Sequence, residues 1–297
     1  MSWRRESFRW SGVALALALA GCAPVGADDP APQIEFRARE LAPGEPLRVL
    51  VTSELPLVEL RARFLGEELF LTRGEDGRAW SGWAMIALDQ RPGPAEVEVA
   101  GVREDGTKTA AARTLTIVAK EFPEERLEVE SKYVEPPPEV QARIEHERAR
   151  LAEVYAARRF VAPPGKAFVR PVPGEPTAIF GTRRLYNGEP RAPHPGLDLR
   201  AGSGTPVKVA GDGEVVLAQD LYYSGLTVIV DHGGGLFTIY AHLSRIDVQE
   251  GTTVAAGDLV GQSGATGRVT GPHLHWGAKI GDRPFDPTAL LDPALFR

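Results

Sequence analysis

Gly271-Pro272-His273-Leu274-His275-Trp276-Gly277-Ala278-Lys279-Ile280 is the stretch on which the reading of this chain turns. After the Gly-Pro break it predicts a strand over residues 274–280, and a strand projects residues two apart from the same face. His273 and His275 therefore share a face, while Trp276 points the opposite way, toward a core. The chain has six histidines, and five fall between positions 194 and 275. Besides the pair they stand in His194-Pro195-Gly196-Leu197-Asp198, Asp231-His232-Gly233 and Tyr240-Ala241-His242-Leu243. Core packing does not account for such clustering beside glycine-rich strand ends.

Pro195 and Gly196 disfavour a helix between His194 and Asp198 despite the i,i+4 spacing. A loop entering a strand at 197–199 would instead fold an imidazole and a carboxylate toward one point. Two histidines and one aspartate give zinc three ligands and leave the open position that a catalytic site needs for water. Two neutral imidazoles and one carboxylate keep the centre net positive, which brings the pKa of that water down to about 7. One member of the His273/His275 pair can be a ligand while the other stands beside the metal, as proton acceptor or oxyanion partner. His242 is the matching candidate from another strand. The chain has no His-Glu-x-x-His motif, so histidine must replace the usual glutamate base.

The remaining candidates read more plainly. His232 before three glycines belongs to a hairpin turn. His146, among Glu145, Glu147 and Arg148, is solvated surface. Tyr240 stands two residues from His242 and either lines the groove or packs in the core. Residues 257–267 carry Gly-Gln-Ser-Gly without a lysine or phosphate-loop spacing, which excludes phosphate binding there.

These residues together resemble the M23 family of zinc metallopeptidases, the lysostaphin-type or LytM-type endopeptidases. The resemblance runs from Phe180-Gly181 through His194-x-Gly-x-Asp198, Tyr240-Ala-His242-Leu and Gly257-Asp-Leu-Val-Gly-Gln-Ser-Gly264. It continues through Thr266-Gly-Arg268 and the opening stretch to Asp286-Pro287. It implies an antiparallel β-sheet with a groove, one zinc ion held by His194, Asp198 and His275, and catalytic histidines at His242 and His273. It also implies hydrolysis of peptide bonds in peptidoglycan; for a Gram-negative source, D-Ala–diaminopimelate crosslinks are expected before glycine bridges. Some relatives have lost ligands and activate cell-wall amidases without catalysis, so a LytM-type regulator is the alternative. No ligand is missing here.

Outward from this region, 297 residues suggest roughly two domains. Gly 32 and Pro 25 favour short strands and turns. A formal charge of −6 offers no basic stripe for nucleic acid. Residues 33–120 repeat short period-two segments between Gly/Pro/Asp turns, which predicts an Ig-like β-sandwich. That segment carries no histidine or cysteine and reads as a spacer or as a docking module for an envelope protein. Residues 121–164 form a linker that holds an amphipathic helix over about 139–159, with Val140, Ile144, Leu151, Val154 and Tyr155 on one face. Residues 165–297 form the peptidase domain, and the whole chain is expected to be mainly β.

Arg4, Arg5 and Arg9 precede an apolar run over residues 12–20 and then Leu19-Ala20-Gly21-Cys22. The run is shorter than the about 20 residues a bilayer span needs. It has the build of a secretory signal. Leu-Ala-Gly-Cys resembles a bacterial lipobox, which makes residues 1–21 a signal peptide, Cys22 the lipidated residue and 22–32 a tether. Cys22 is the single cysteine, so no disulfide within the chain is available. By resemblance to Gram-negative lipoproteins, Ala23 after the cysteine favours the outer membrane, with the protein facing the periplasm.

Overall fold

The computed structural model describes residues 30–128, 130, 136–157 and 164–296. The signal peptide, Cys22 and most of the tether lie outside the described residues. Among the described residues no helix is long and apolar enough to cross a membrane.

Eight strands come first: β1 Gln33–Arg37, β2 Pro46–Thr52, β3 Glu59–Phe64, β4 Glu67–Leu69, β5 Leu71–Arg73, β6 Ala79–Met85, β7 Gly93–Val102 and β8 Lys108–Ile117. They pair antiparallel into two four-stranded sheets, ordered β1-β2-β6-β5 and β4-β3-β7-β8. In chain order this is the A-B-E-D sheet against the C-F-G sheet with one added edge strand, the immunoglobulin arrangement. Alternation in the sequence becomes alternation in burial. Val97 and Val99 of β7 face Val49 and Val51 of β2 across one shared core, and the intervening glutamates are exposed. Strand β6 departs from this because both its faces are covered. Trp80 and Ala84 join the sandwich core, whereas Trp83 turns outward and meets Phe296 edge to face at 6.0 Å.

Strand β9, Glu124–Leu127, follows the sandwich, and helix α1 spans Pro138–Ala156. The helix starts on Pro138, whose missing N–H costs nothing in the first turn. It ends short of the expected residue 159, and residues 158–163 lie outside the described residues. Its docked face holds Ile144, Val154 and Tyr155, the last edge to face with Phe237 at 5.3 Å. The same face buries Glu147, whose carboxylate accepts from Arg143 at 2.6 Å and from the Tyr222 backbone at 2.8 Å.

The last part of the chain supplies β10 Pro176–Ala178, β11 Arg183–Tyr186, β12 Glu189–Arg191, β13 Gly196–Leu199, β14 Pro206–Lys208, β15 Gly213–Leu221, β16 Gly225–Asp231, β17 Leu236–Ile246, β18 Thr253–Val254, β19 Leu259–Ser263, β20 Leu274–Ile280 and β21 Arg283–Phe285. Ten of these make one antiparallel sheet with the main order β10-β13-β20-β17-β16-β15-β18. Strand β20, the expected one, lies between β13 and β17 near the middle of that order. A separate small sheet, β12-β11-β9, draws the linker strand β9 into parallel pairing with β11.

Residues 31–297 form one unit, and a charged knot ties the sandwich to the end of the chain. Arg39 donates to Glu45 at 2.6 Å, to Asp286 at 2.8 Å and to the Thr288 hydroxyl at 2.6 Å. Lys120 joins at the fully buried Glu45. A buried carboxylate shared by two cations is stable only while those partners stay in place, so the knot fixes the relative position of its elements.

Candidate metal centre and groove

Strand register brings the site together. Asp198 on β13 is the direct cross-strand partner of His275 on β20, and Ala241 on β17 is its partner on the other side. Cross-strand partners project from one face within about 5 Å of each other. His275 Nδ1 lies 2.8 Å from Asp198 Oδ1 and 3.1 Å from His194 Nε2, and His194 Nε2 lies 3.0 Å from the same Oδ1. Three potential ligand atoms from these residues therefore converge. His194 comes in from the loop before β13, pinned by its backbone N–H to the Thr182 carbonyl at 2.9 Å and by its carbonyl to Gly181 N–H at 2.9 Å.

The protonation pattern follows from the partners. His194 Nδ1 lies 3.0 Å from the Ile179 carbonyl and donates to it, which leaves Nε2 without a proton. That lone pair faces a carboxylate oxygen at 3.0 Å, and two acceptors at this distance repel unless a cation lies between them. Burial pushes His194 down to about 4 despite the Asp198 carboxylate beside it. Burial raises Asp198, but its close contacts with His194 and His275 outweigh that and hold the carboxyl well below the usual range. A neutral imidazole and an ionised carboxylate are the states in which these groups bind a metal. The residues thus fit a divalent cation of zinc type.

Asp198 divides its oxygens. Arg184 on β11 donates to Oδ2 at 2.9 Å, which leaves Oδ1 turned toward the histidines. Glu125 on β9 in turn receives Arg184 Nε at 3.3 Å. Neither residue stood out in the sequence. Glu125 belongs to a four-residue charged segment without apolar alternation, and the linker carrying it was not expected to reach the site.

His273 and His242 complete the ring of imidazoles. His273 Nδ1 lies 2.8 Å from the Gly271 carbonyl and His242 Nδ1 lies 2.9 Å from the Thr266 carbonyl, so each donates there and leaves its Nε2 bare. His273 Nε2 is 3.6 Å from Asp198 Oδ1, outside hydrogen-bond range, and the two rings are 5.0 Å apart. Burial, then the neighbouring His275 and His273, push His242 down to about 3. Its backbone is in the left-handed region at φ 61, where β17 slips register against β16 between Leu226 and Val228. This bulge re-aims the His242 side chain, a strained conformation of the kind that collects at functional sites.

The bulge also decides between the two readings of Tyr240. Strand alternation would place it beside His242, but the register slip separates the two residues. Tyr240 is fully buried, and its hydroxyl accepts from Ala210 N–H at 2.7 Å and from Thr238 at 3.0 Å. It packs the core and does not line the groove. His232 is buried on Asp212 and Thr238, and Trp276 is core.

One glycine is fixed by the site. A Cβ at Gly196 would lie 2.6 Å from the Trp276 carbonyl and 2.8 Å from the His275 ring. Both contacts must be relieved, and moving either the β20 backbone or the ring displaces His275. If the site holds a divalent metal, Gly196→Ala is expected to weaken its binding by about ten- to a hundredfold, the range for disturbing a ligand's support. Calorimetric titration of metal-stripped protein checks this, and unchanged affinity would contradict the packing described.

Comparison with known proteins agrees with this geometry. The profile of "Peptidase family M23" matches residues 192–287. A crystal structure of a candidate peptidase M23 from Pseudomonas aeruginosa is similar over 86% of this chain and 96% of its own, with 31% identity and a TM-score of 0.63. Peptidoglycan DD-endopeptidase ShyA of Vibrio cholerae is 46% identical over 106 residues, 35% of this chain and 25% of that protein. DD-carboxypeptidase/endopeptidase Mpg of Neisseria meningitidis is 40% identical over 100 residues, 34% of this chain and 23% of that protein. The aligned part thus spans about a quarter of these curated relatives.

Proposed function

This chain belongs to peptidase family M23, and from that membership we propose that it is a zinc-dependent endopeptidase that cuts peptide bonds in peptidoglycan. The observation that carries the reading is the convergence of His194, Asp198 and His275 with the bare Nε2 atoms of His242 and His273 beside them. His194, Asp198 and His275 would hold the ion. Zinc bound there supplies Lewis-acid activation of water and of the scissile carbonyl.

The chain's own residues then move the proton. The bare Nε2 of His273 or of His242 accepts it from the attacking water. Once protonated, that ring can donate to the developing oxyanion or hand the proton to the leaving amine nitrogen. Carbonyl partners at Gly271 and Thr266 keep the proton on Nδ1 and hold both rings in one orientation. Arg184 keeps the Asp198 carboxylate from rotating.

The names of the curated relatives favour D-Ala–diaminopimelate crosslinks over glycine bridges as the bond cut. Residues 33–120 serve as a spacer or docking module, residues 121–164 as the linker and residues 165–297 as the peptidase. Lipidation at Cys22 would anchor the chain in the outer membrane, facing the periplasm.

The alternative, a non-catalytic activator of an amidase, has no use for an ordered metal. Metal analysis of the purified protein is expected to find one zinc per chain that a chelator removes. Protein that cannot take up stoichiometric zinc would sink the enzyme reading.

A further inference from the structure

The loop between β19 and β20 carries a guanidinium that the chemistry above does not use. Arg268 lies with Cζ 4.9 Å from the Tyr186 ring centroid and 5.0 Å from that of Tyr223. Among the described residues no carboxylate pairs with it. Arg184 on the same side of the site differs, since Asp198 and Glu125 occupy it. A guanidinium against aromatic faces keeps its edge and its N–H donors available for a planar anion.

The position is built. Arg268 N–H donates to the Tyr223 carbonyl at 2.8 Å, and the Thr266 hydroxyl both accepts from Leu226 N–H at 2.9 Å and donates to the Leu243 carbonyl at 2.7 Å. Gly267, at φ 75, lets the loop lie against the next turn, where a Cβ would be 2.4 Å from Gly225 N. The loop is short and closed, because Gly264 and His273 bridge its ends. It therefore carries Arg268 and the His242-holding carbonyl of Thr266 together.

Strand β11 sets the distance from the reacting centre. Arg184 reaches Asp198, and Tyr186, two residues on and on the same face of the strand, reaches Arg268. Two strand residues span about 7 Å. An extended substrate advances about 3.5 Å per residue, so this separation covers the two substrate residues nearest the scissile bond on that side.

We propose that Arg268 is a specificity-determining residue that binds a free carboxylate on the substrate residue beside the scissile bond. This rests on the peptidase reading and sharpens it, because it selects an acidic stem peptide over one amidated at that carboxyl. Guanidinium and carboxylate meet in a bidentate, charge-assisted pair, whereas a primary amide offers one acceptor and no charge.

The test uses the full mature chain and two crosslinked muropeptide dimers that differ only in amidation of that carboxyl. Wild type is expected to cleave the acid about ten- to a hundredfold better in kcat/KM, with the difference mainly in KM. R268Q should bring the ratio close to one, and R268K should keep part of the preference. Equal handling of both dimers by wild type, or R268Q slowing both by the same factor, would overturn the proposal. Calorimetric binding of the acid and amidated peptides to the same proteins separates the two readings. Lost discrimination in binding supports the Arg268 role even without turnover, while absent turnover by zinc-loaded wild type counts against the peptidase reading.

Discussion

Replacing His275 with alanine is expected to remove both the metal and the cleavage of crosslinked muropeptides. His275 stands at the centre of the site, with Nδ1 within 3.1 Å of the other two candidate ligands. Its cross-strand partners are Asp198, already a candidate ligand, and Ala241, whose side chain carries no ligating atom. Losing one of three protein ligands should cost more than the about hundredfold that the loss of an outer partner alone can reach. Zinc content and product release should fall together, while the β-sheet signal in circular dichroism persists, since the ring is a side chain at the groove face. A variant that keeps stoichiometric zinc would show that another residue completes the site.

The contrasting substitution is His273→Ala. His273 is also beside Asp198, but at 3.6 Å, and its Nδ1 is committed to the Gly271 carbonyl. If its bare Nε2 handles the proton, zinc binding should survive while kcat drops about 10²- to 10⁴-fold, the usual range for a general acid–base group. Metal analysis and kinetics on one preparation separate the two histidines. Should His273→Ala lose zinc while His275→Ala retains it, the assignment within the pair would be reversed.

That pair shows what a sequence can and cannot disclose. Residues two apart on a strand share a face whatever their surroundings, so both histidines were bound to meet at the groove. The strand over 274–280 was legible for the same reason. The choice between the two rings depends on register with β13, a long-range pairing that spacing alone does not contain. The sandwich was readable because β7 and its neighbours alternate apolar and charged residues. For Tyr240 the same rule left groove and core both open. Period-two reasoning assumes an unbroken strand, and the bulge at His242 breaks it.

Glu125 and Arg184 were invisible for a different reason. A short charged strand such as β9 has no apolar signature, and it forms because β11 offers an edge to pair with. Arg184 reads as an ordinary surface arginine until tertiary contact sets it on Asp198. Arg268 was quoted only as part of a family-like loop. Its stacking on Tyr186 and Tyr223 joins residues 37 positions and more apart in the chain, which no local pattern encodes.

The central claim is that His194, Asp198 and His275 hold one zinc ion at which a crosslink peptide bond is hydrolysed. Mass analysis of a crosslinked muropeptide dimer, incubated with metal-stripped mature protein before and after one equivalent of zinc is added, tests it most directly. The account predicts an intact dimer without metal. With zinc it predicts two monomers whose summed mass exceeds that of the dimer by one water. A dimer that stays intact with zinc bound, or that is cleaved equally well by the stripped protein, would contradict it.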